Sequence, residues 1–495
     1  MSTKTMQSPD THTTAALPVA VIGAGPVGLA AAAHLVRRGM AVQVFEAGDH
    51  VAAHLQGYGH VRLFSPWRYN IDHAARALLD AHGWNAPDGE VLPTAAEVVQ
   101  HYLAPLARTA ALAPHIRFQA RVHAVTRAGF DKSRTAGRDA APFLLRVSTP
   151  GGIEEHRARA VIDATGTWAQ PNPIGIHGLP ALGESENAGH IAYGMPDILG
   201  AARSRYAGRT VLVVGAGHSA AGNLLALATL AGQAPGTRIV WAVRGTDLRR
   251  LFGGGANDGL PARGQIGTRL RALVEAGQLD VRMGFGIRAI VRTPQGRLRI
   301  AAEDRSLPAI DGIDEIVAAT GARPDLRIAS ELRLRLDPWL ESTDALAPLI
   351  DPNEHSCGTV RPHGHRELTQ PEPGFYAIGA KSYGRAPNFL MATGYEQARS
   401  VVAALAGDMA AADDVQLELP ETGVCSVDFA NQDKAAAATA DGCCGGPAKL
   451  DASACCALDE TKKAEGKAGC GCTPAAPPVK ARAPVATAAP QACCG

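Results

Sequence analysis

Cysteine is missing from the first 356 residues of this 495-residue chain, although ten cysteines are present in all. A small disulfide-stapled scaffold is thereby excluded, and so is a redox-active dithiol built into most of the sequence. Excess charge is missing too: 48 Lys and Arg against 47 Asp and Glu leave a formal net charge of +1. That balance removes the electrostatic footprint of a nucleic-acid binder and any strong attraction to anionic membrane, so small-molecule partners are expected. No long apolar run survives inspection either. The stretch from Ala15 to Ala33 is uncharged for nineteen residues, but three glycines and Pro26 interrupt it. It reads as strand, turn and helix start rather than as a membrane span. A basic region, an apolar run and a cleavage site do not follow one another as a signal peptide requires, and a cytoplasmic location is expected. From Ala430 onward there is no aromatic residue and no isoleucine, so the end of the chain cannot bury enough apolar surface to offset its ordering entropy.

What remains is 46% hydrophobic, 19% charged and rich in glycine, with 54 residues of that type, a composition that suits a soluble α/β protein of two or three domains. Apolar runs of strand length alternate with amphipathic stretches of helical length, the pattern of a parallel sheet built from βαβ units. Pro18 to Ile22, a glycine turn, Leu29 to Arg38 and Ala41 to Glu46 form one unit. Thr210 to Val214, a second glycine turn, Ala220 to Leu230 and Arg238 to Arg244 form another, about 190 residues later. Phe130 to Pro142 is polar and reads as a surface loop.

Gly23, Gly25 and Gly28 lie in VIGAGPVGLA, with Pro26 between the last two, and Glu46 closes the following strand 23 residues after Gly23. Strand, glycines, helix and acid together are the context of a dinucleotide fingerprint, in which the acid binds a ribose hydroxyl. Glu46 would repel a 2′-phosphate, so FAD or NAD is expected there. The second turn, VVGAGHSAAG, carries Gly215, Gly217, His218, Ser219 and Ala220, and its following strand ends at Arg244 instead of an acid. An arginine in that place pairs with a 2′-phosphate, which selects NADPH. The alternative for Arg244 is a solvated strand end. Two such sites in one chain imply electron transfer from a nicotinamide to a flavin.

Asp163-Ala164-Thr165-Gly166 and Ala318-Ala319-Thr320-Gly321 resemble the strand-end crossovers of two-dinucleotide-binding flavoproteins, the group that includes flavin monooxygenases and disulfide reductases. Phe375-Tyr376-Ala377-Ile378-Gly379-Ala380 resembles their late flavin motif, in which an Asp usually follows the glycine; Ala380 and Lys381 stand here. The resemblance implies two Rossmann-like domains: an FAD-binding domain from 17–200 and 322–420, and an inserted NADPH-binding domain at 201–321. A flexible N-terminus (1–16) and a disordered, cysteine-rich tail (421–495) flank them. It also implies Gly23, Gly25, Pro26, Gly28, Glu46, Val122, Thr165, Gly166 and Gly379 at FAD, and Gly215, Gly217, His218, Ser219, Ala220 and Arg244 at NADPH.

The absent early cysteines point away from disulfide reduction and toward a monooxygenase, in which NADPH reduces FAD and molecular oxygen supplies one atom to a substrate. Gly215 to Ala220 is similar to the GxGxSA turn of nitrogen- and sulfur-oxidising flavin monooxygenases. Asn70 stands where those enzymes carry an asparagine near the flavin, and His190 loosely matches the histidine of their linker; the alternatives are a turn residue and a linker cap. RLFSPW at Arg62 to Trp67, GLPALGE at Gly178 to Glu184 and APNFL at Ala386 to Leu390 resemble flavoprotein monooxygenases associated with arsenic resistance. In the tail, Cys443, Cys444, Cys455, Cys456, Cys470, Cys472, Cys493 and Cys494 occur in vicinal or nearly vicinal pairs suited to soft ions such as As(III). The expectation is an NADPH-dependent FAD monooxygenase acting on a trivalent arsenical that the tail presents. The alternatives are an organic sulfur or amine substrate, or a flavoprotein that reduces disulfides of its own tail. The glycine-rich segment from Arg249 to Gly264 is a candidate mobile loop.

Overall fold

The strands nearest the two glycine turns are apolar and buried on both faces, which fits them for the middle of a parallel sheet covered by helices. A computed structural model describes residues 16–248, 252, 261–355 and 360–417. Strand β1 (Val19–Ile22) is wholly buried and leads through the first turn into helix α1 (Pro26–Arg37) and strand β2 (Val42–Phe45). Strands β3 (Ile116–Arg117), β7 (Ala160–Asp163) and β16 (Phe375–Ala377) complete a five-stranded parallel sheet in the order β16-β7-β1-β2-β3. An antiparallel meander of β4 (Arg121–Arg127), β5 (Phe143–Thr149) and β6 (Gly152–Ala158) lies between β3 and β7 in the chain.

The second unit repeats the design. Strands β8 (Ile191–Tyr193), β9 (Thr210–Val214), β10 (Arg238–Ala242), β11 (Asp280–Arg282) and β15 (Glu315–Ala318) form a parallel sheet in the order β11-β10-β9-β15-β8. Helix α2 (His218–Gln233) follows β9, and a small antiparallel sheet of β12 (Ile287–Arg292), β13 (Leu298–Ala302) and β14 (Ile310–Ile313) precedes β15. Helix α3 (Met391–Leu405) returns to pack along α1 in the first unit.

Two sequence expectations shift here. The inserted unit starts well before residue 200: β8 pairs with β15, and Ile174, Ala181 and Ile191 belong to its core. The apolar signal in Ile191–Tyr193 is too short to assign to one sheet from sequence. The polar segment Phe130 to Pro142 is not simply a surface loop, because Arg138 is fully buried within it. Its guanidinium donates to both carboxylate oxygens of Glu372 at 2.9 Å, and Arg127 Nε donates to Oε1 of the same carboxylate at 2.7 Å. This Arg-Glu-Arg cluster ties the meander to the segment entering β16.

The chain passes between the units twice, and the two crossings run side by side. Asn172 N–H donates to the Gly321 carbonyl at 2.9 Å, and Arg323 N–H donates to Gln170 at 2.9 Å. A further contact joins Phe64 of the first unit to His218 at the start of α2, with ring centroids 5.5 Å apart. Among the described residues no helix is long and apolar enough to cross a membrane.

Candidate active site

A cavity of about 790 Å³ opens at the carboxyl ends of β1, β2, β7 and β16, where ligands bind in open α/β sheets. Gly23, Gly25, Pro26, Glu46, Val122, Thr165, Gly166 and Gly379 all line it. Gly23 adopts φ +100°, and a Cβ there would stand 2.8 Å from the Ala164 carbonyl oxygen, so glycine is required for the turn to pass the end of β7. Gly28 does not line the cavity. A Cβ at Gly28 would lie 2.0 Å from the Gly23 oxygen, which makes it the residue that lets α1 pack onto the turn. Gly25 is different again, with no atom within 4 Å of its ideal Cβ position. The space beside it belongs to the cavity.

Gly25 is also the N-cap of α1 and supplies no side-chain acceptor, while Pro26 occupies the first helical turn. The first N–H groups of the helix therefore face the cavity without a capping side chain, which is a site for an anion. Glu46 holds the turn in place: its two carboxylate oxygens accept from Ala24 N–H and Gly48 N–H, each at 2.8 Å. Both oxygens retain a lone pair for a ribose hydroxyl. Open turn, uncapped helix and acid at the end of β2 fit the diphosphate and ribose of FAD.

The cavity floor is polar and buried. Asp163 Oδ1 accepts from Thr165 N–H at 3.1 Å and Thr165 Oγ1 at 2.8 Å, and Asp163 Oδ2 lies 2.6 Å from Lys381 Nζ. Gly379 N–H donates to Gln397 Oε1 at 2.7 Å, and the Gln397 amide in turn donates to His363 Nε2 at 2.9 Å. His363 Nδ1 lies 3.0 Å from the Arg361 carbonyl, so these partners assign the proton to Nδ1. Burial pushes the His363 pKa below the ordinary histidine value and keeps the ring neutral. At the rim Tyr58 packs against Trp168 with centroids 4.5 Å apart, and burial pushes the Tyr58 hydroxyl up to about 12. Asp325, also lining the cavity, is held down at about 2 by its hydrogen bonds from Arg327.

The second turn has the same build. Gly215 has φ +129° and a Cβ there would stand 2.3 Å from the Ala319 oxygen; Gly217 caps α2 and has nothing within 4 Å of its Cβ position. His218 and Ser219 open the helix, and Ala220 is fully buried against the sheet. Strand β10 stops at Ala242, two residues short of the expected end, so Arg244 lies just beyond it, exposed and without an ion-pair partner among the described residues. It remains on the carboxyl edge of the sheet, beside the turn.

The two candidate catalytic residues do not meet. Asn70 is 1% exposed and its amide donates to the carbonyls of Ser65 at 2.7 Å and Pro66 at 3.0 Å. It caps a local turn and is not among the cavity-lining residues. His190 precedes β8 at the amino edge of the second sheet, with Nδ1 3.1 Å from the Asp314 carbonyl and 3.4 Å from Glu315. Both glycine turns lie at carboxyl edges, so the parallel register separates His190 from them by the length of a strand. Sequence reading assigned no site role to Lys381, Tyr58, Trp168, Phe64 or His363. The available signals were a lone lysine after an apolar strand and aromatic residues flanking glycine-rich turns.

Among the described residues no group of three or more His, Cys, Asp or Glu is placed to hold a metal ion. Cys443, Cys444, Cys455, Cys456, Cys470, Cys472, Cys493 and Cys494 lie outside the described residues, as do Cys357 and most of the segment from Arg249 to Gly264.

The sequence matches the pyridine nucleotide-disulphide oxidoreductase family over residues 20–357. This chain belongs to that family. Solved structures share the fold at low identity. The bacillithiol disulfide reductase Bdr (YpdA) of Bacillus cereus is 18% identical, with a TM-score of 0.59 over 79% of this chain and 99% of that one. DfoA, the FAD-bound cadaverine monooxygenase of Erwinia amylovora, is 12% identical, with a TM-score of 0.57 over 81% and 97%. The ornithine hydroxylase PvdA of Pseudomonas aeruginosa is 14% identical, with a TM-score of 0.53 over 79% and 99%. No curated protein matches the sequence. This pyridine nucleotide-disulphide oxidoreductase family member is an enzyme with FAD and a nicotinamide dinucleotide as its cofactors.

Proposed function

We propose that this flavoprotein is an NADPH-dependent monooxygenase that oxidises a soft nucleophile, with trivalent arsenicals as the substrate class. One observation carries the choice of chemistry: the first 356 residues contain no cysteine, and among the described residues no thiol lines the cavity. Disulfide exchange beside the flavin needs a thiolate, and the described lining of the cavity holds none. Electrons entering from NADPH need another acceptor, and oxygen is the acceptor used by monooxygenases of this fold, such as DfoA. Bound FAD would take hydride from NADPH and, once reduced, activate oxygen. In balance, NADPH, a proton, oxygen and the substrate give NADP⁺, water and a substrate carrying one new oxygen atom.

The residues of the chain bind, orient and exclude water. The uncapped start of α1 and Gly25 receive the FAD diphosphate, Glu46 takes a ribose hydroxyl, and Val122, Thr165, Gly166 and Gly379 wall the cofactor. Gly217 and the start of α2 receive the NADPH diphosphate, with Arg244 on the 2′-phosphate. Tyr58, kept protonated, and Trp168 cover the cavity rim and limit water. The arsenical assignment rests on the paired tail cysteines, whose neighbouring thiolates chelate soft ions.

The same cysteine pairs favour a second reading, in which the flavin reduces disulfides formed within the tail. An anaerobic assay of the full chain with NADPH separates the two. Under the monooxygenase reading, NADPH oxidation stops after one equivalent per flavin and the number of titratable thiols is unchanged. Continued oxidation of NADPH matched by new thiols would favour the tail.

A further inference from the structure

Lys381 is a cation held where the cofactor cavity meets the end of β7, and the ion pair it forms leaves part of its donor capacity unused. Its side chain is 4% exposed, and that of Asp163 is fully buried. Nζ lies 2.6 Å from Asp163 Oδ2 and donates to Thr165 Oγ1 at 3.0 Å. An ammonium has three N–H groups; its one hydrogen bond among the described residues goes to Thr165, and the close contact with Asp163 Oδ2 is an ion pair without hydrogen-bond geometry. Lys381 nevertheless lines the cavity. Leaving a donor of a buried ammonium unmatched is costly, so the geometry suits an acceptor that arrives with the ligand.

The position of the lysine indicates which acceptor. Gly379, two residues earlier, would place a Cβ 3.4 Å from Val27 in the first turn of α1. Lys381 Nζ itself reaches Thr165 Oγ1, and the Thr165 Cα lies 3.4 Å from the ideal Cβ position of Gly23, so the ammonium stands beside the first glycine turn. Asp163 cannot swing away to follow a ligand, because Thr165 holds its other oxygen twice. The lysine is thus fixed beside the glycine turn, with donor capacity left for an acceptor.

We infer that Lys381 donates a remaining N–H to a diphosphate oxygen of FAD, adding a fixed cation to the anion site at the first glycine turn. This inference rests on the cavity being the FAD site. The contact is charge-assisted and partly screened by salt, which a purely structural ion pair would not reproduce in cofactor binding.

The test is FAD affinity of the full chain, followed by flavin fluorescence at about 50 mM and about 500 mM salt. Removing either partner alone would strand a buried charge and risks unfolding, so the informative comparison is the parent against Asp163→Asn/Lys381→Met. The expected result is that the double variant melts close to the parent, because both members of the buried pair are removed together. The double variant should lose roughly tenfold to hundredfold and show a flatter salt dependence. A double variant matching the parent in affinity and salt dependence would overturn the contact and leave Lys381 as a neutraliser of Asp163. Lost affinity with an unchanged salt slope would place the N–H on an uncharged hydroxyl instead and overturn the diphosphate assignment. Gly25→Ala serves as the control: if it keeps parental FAD affinity, the cavity reading itself fails, independently of Lys381.

Discussion

Replacing Gly25 by alanine separates cofactor binding from folding more cleanly than any other single change in the first turn. The residue has φ −78° and ψ −177°, which alanine adopts without strain, and its added methyl would meet no protein atom within 4 Å. Folding should cost only the weaker N-cap preference of alanine, about 0.5–1 kcal/mol, a shift of roughly 2 °C in a domain of this size. The methyl instead fills the space through which FAD reaches the free N–H groups of α1. Losing two charge-assisted hydrogen bonds at about 1.5–3 kcal/mol each weakens binding by about 3–6 kcal/mol, or more than a hundredfold. Thermal melting of the apoprotein and fluorescence titration with FAD measure the two effects separately. Gly28→Ala should do the reverse, because its Cβ would fall 2.0 Å from the Gly23 oxygen and disturb the fold directly. A Gly25→Ala protein that melts normally and binds FAD at parental strength would refute the placement of the cofactor.

Arg244→Ala should raise the dissociation constant of NADPH about tenfold or more while leaving NADH unaffected, as read by stopped-flow reduction of the flavin with each dinucleotide. Glu372→Ala would leave Arg127 and Arg138 buried without their shared carboxylate, and urea unfolding should show a loss of about 3–5 kcal/mol. His363 has a depressed pKa when folded, so the unfolded chain binds more protons below pH about 6.5 and stability falls as pH drops through that window. The hydrogen bond to the Arg361 carbonyl opposes this shift, as do the charges of Glu367 and Glu396, and the Arg361 charge adds to it. Melting temperatures between pH 7.5 and 5 should fall less steeply in His363→Asn than in the parent. A chain ending near Gly423 should oxidise arsenicals less efficiently than the full chain at low substrate; equal efficiency would remove the tail from substrate capture.

Both glycine turns were legible because their requirements are local: a tight turn between a buried strand and a closely packed helix. The elements around them agree with expectation to within two or three residues, as α1 beginning at Pro26 and β10 ending at Ala242 illustrate. Long-range pairing was not legible. Nothing near Ile191 announces that its strand adds to β15, over 120 residues away, and so the inserted unit begins earlier than its glycine turn suggested. Arg138 looked like part of a solvated loop because its partner Glu372 is 234 residues distant. His190 and Asn70 were named by local resemblance, and local resemblance does not specify which edge of a sheet a residue faces. Lys381 was visible only as a departure from a motif; its pairing with Asp163 gives that departure a physical role.

The central claim is oxygen transfer, and the direct measurement is simultaneous oxygen, NADPH and hydrogen peroxide accounting by the FAD-loaded full chain with and without a trivalent arsenical. The account predicts that the arsenical stimulates turnover, that NADPH and oxygen disappear in equal amounts, that little peroxide accumulates, and that pentavalent arsenic forms in step. Turnover indifferent to the arsenical, with every oxygen recovered as peroxide, would contradict it.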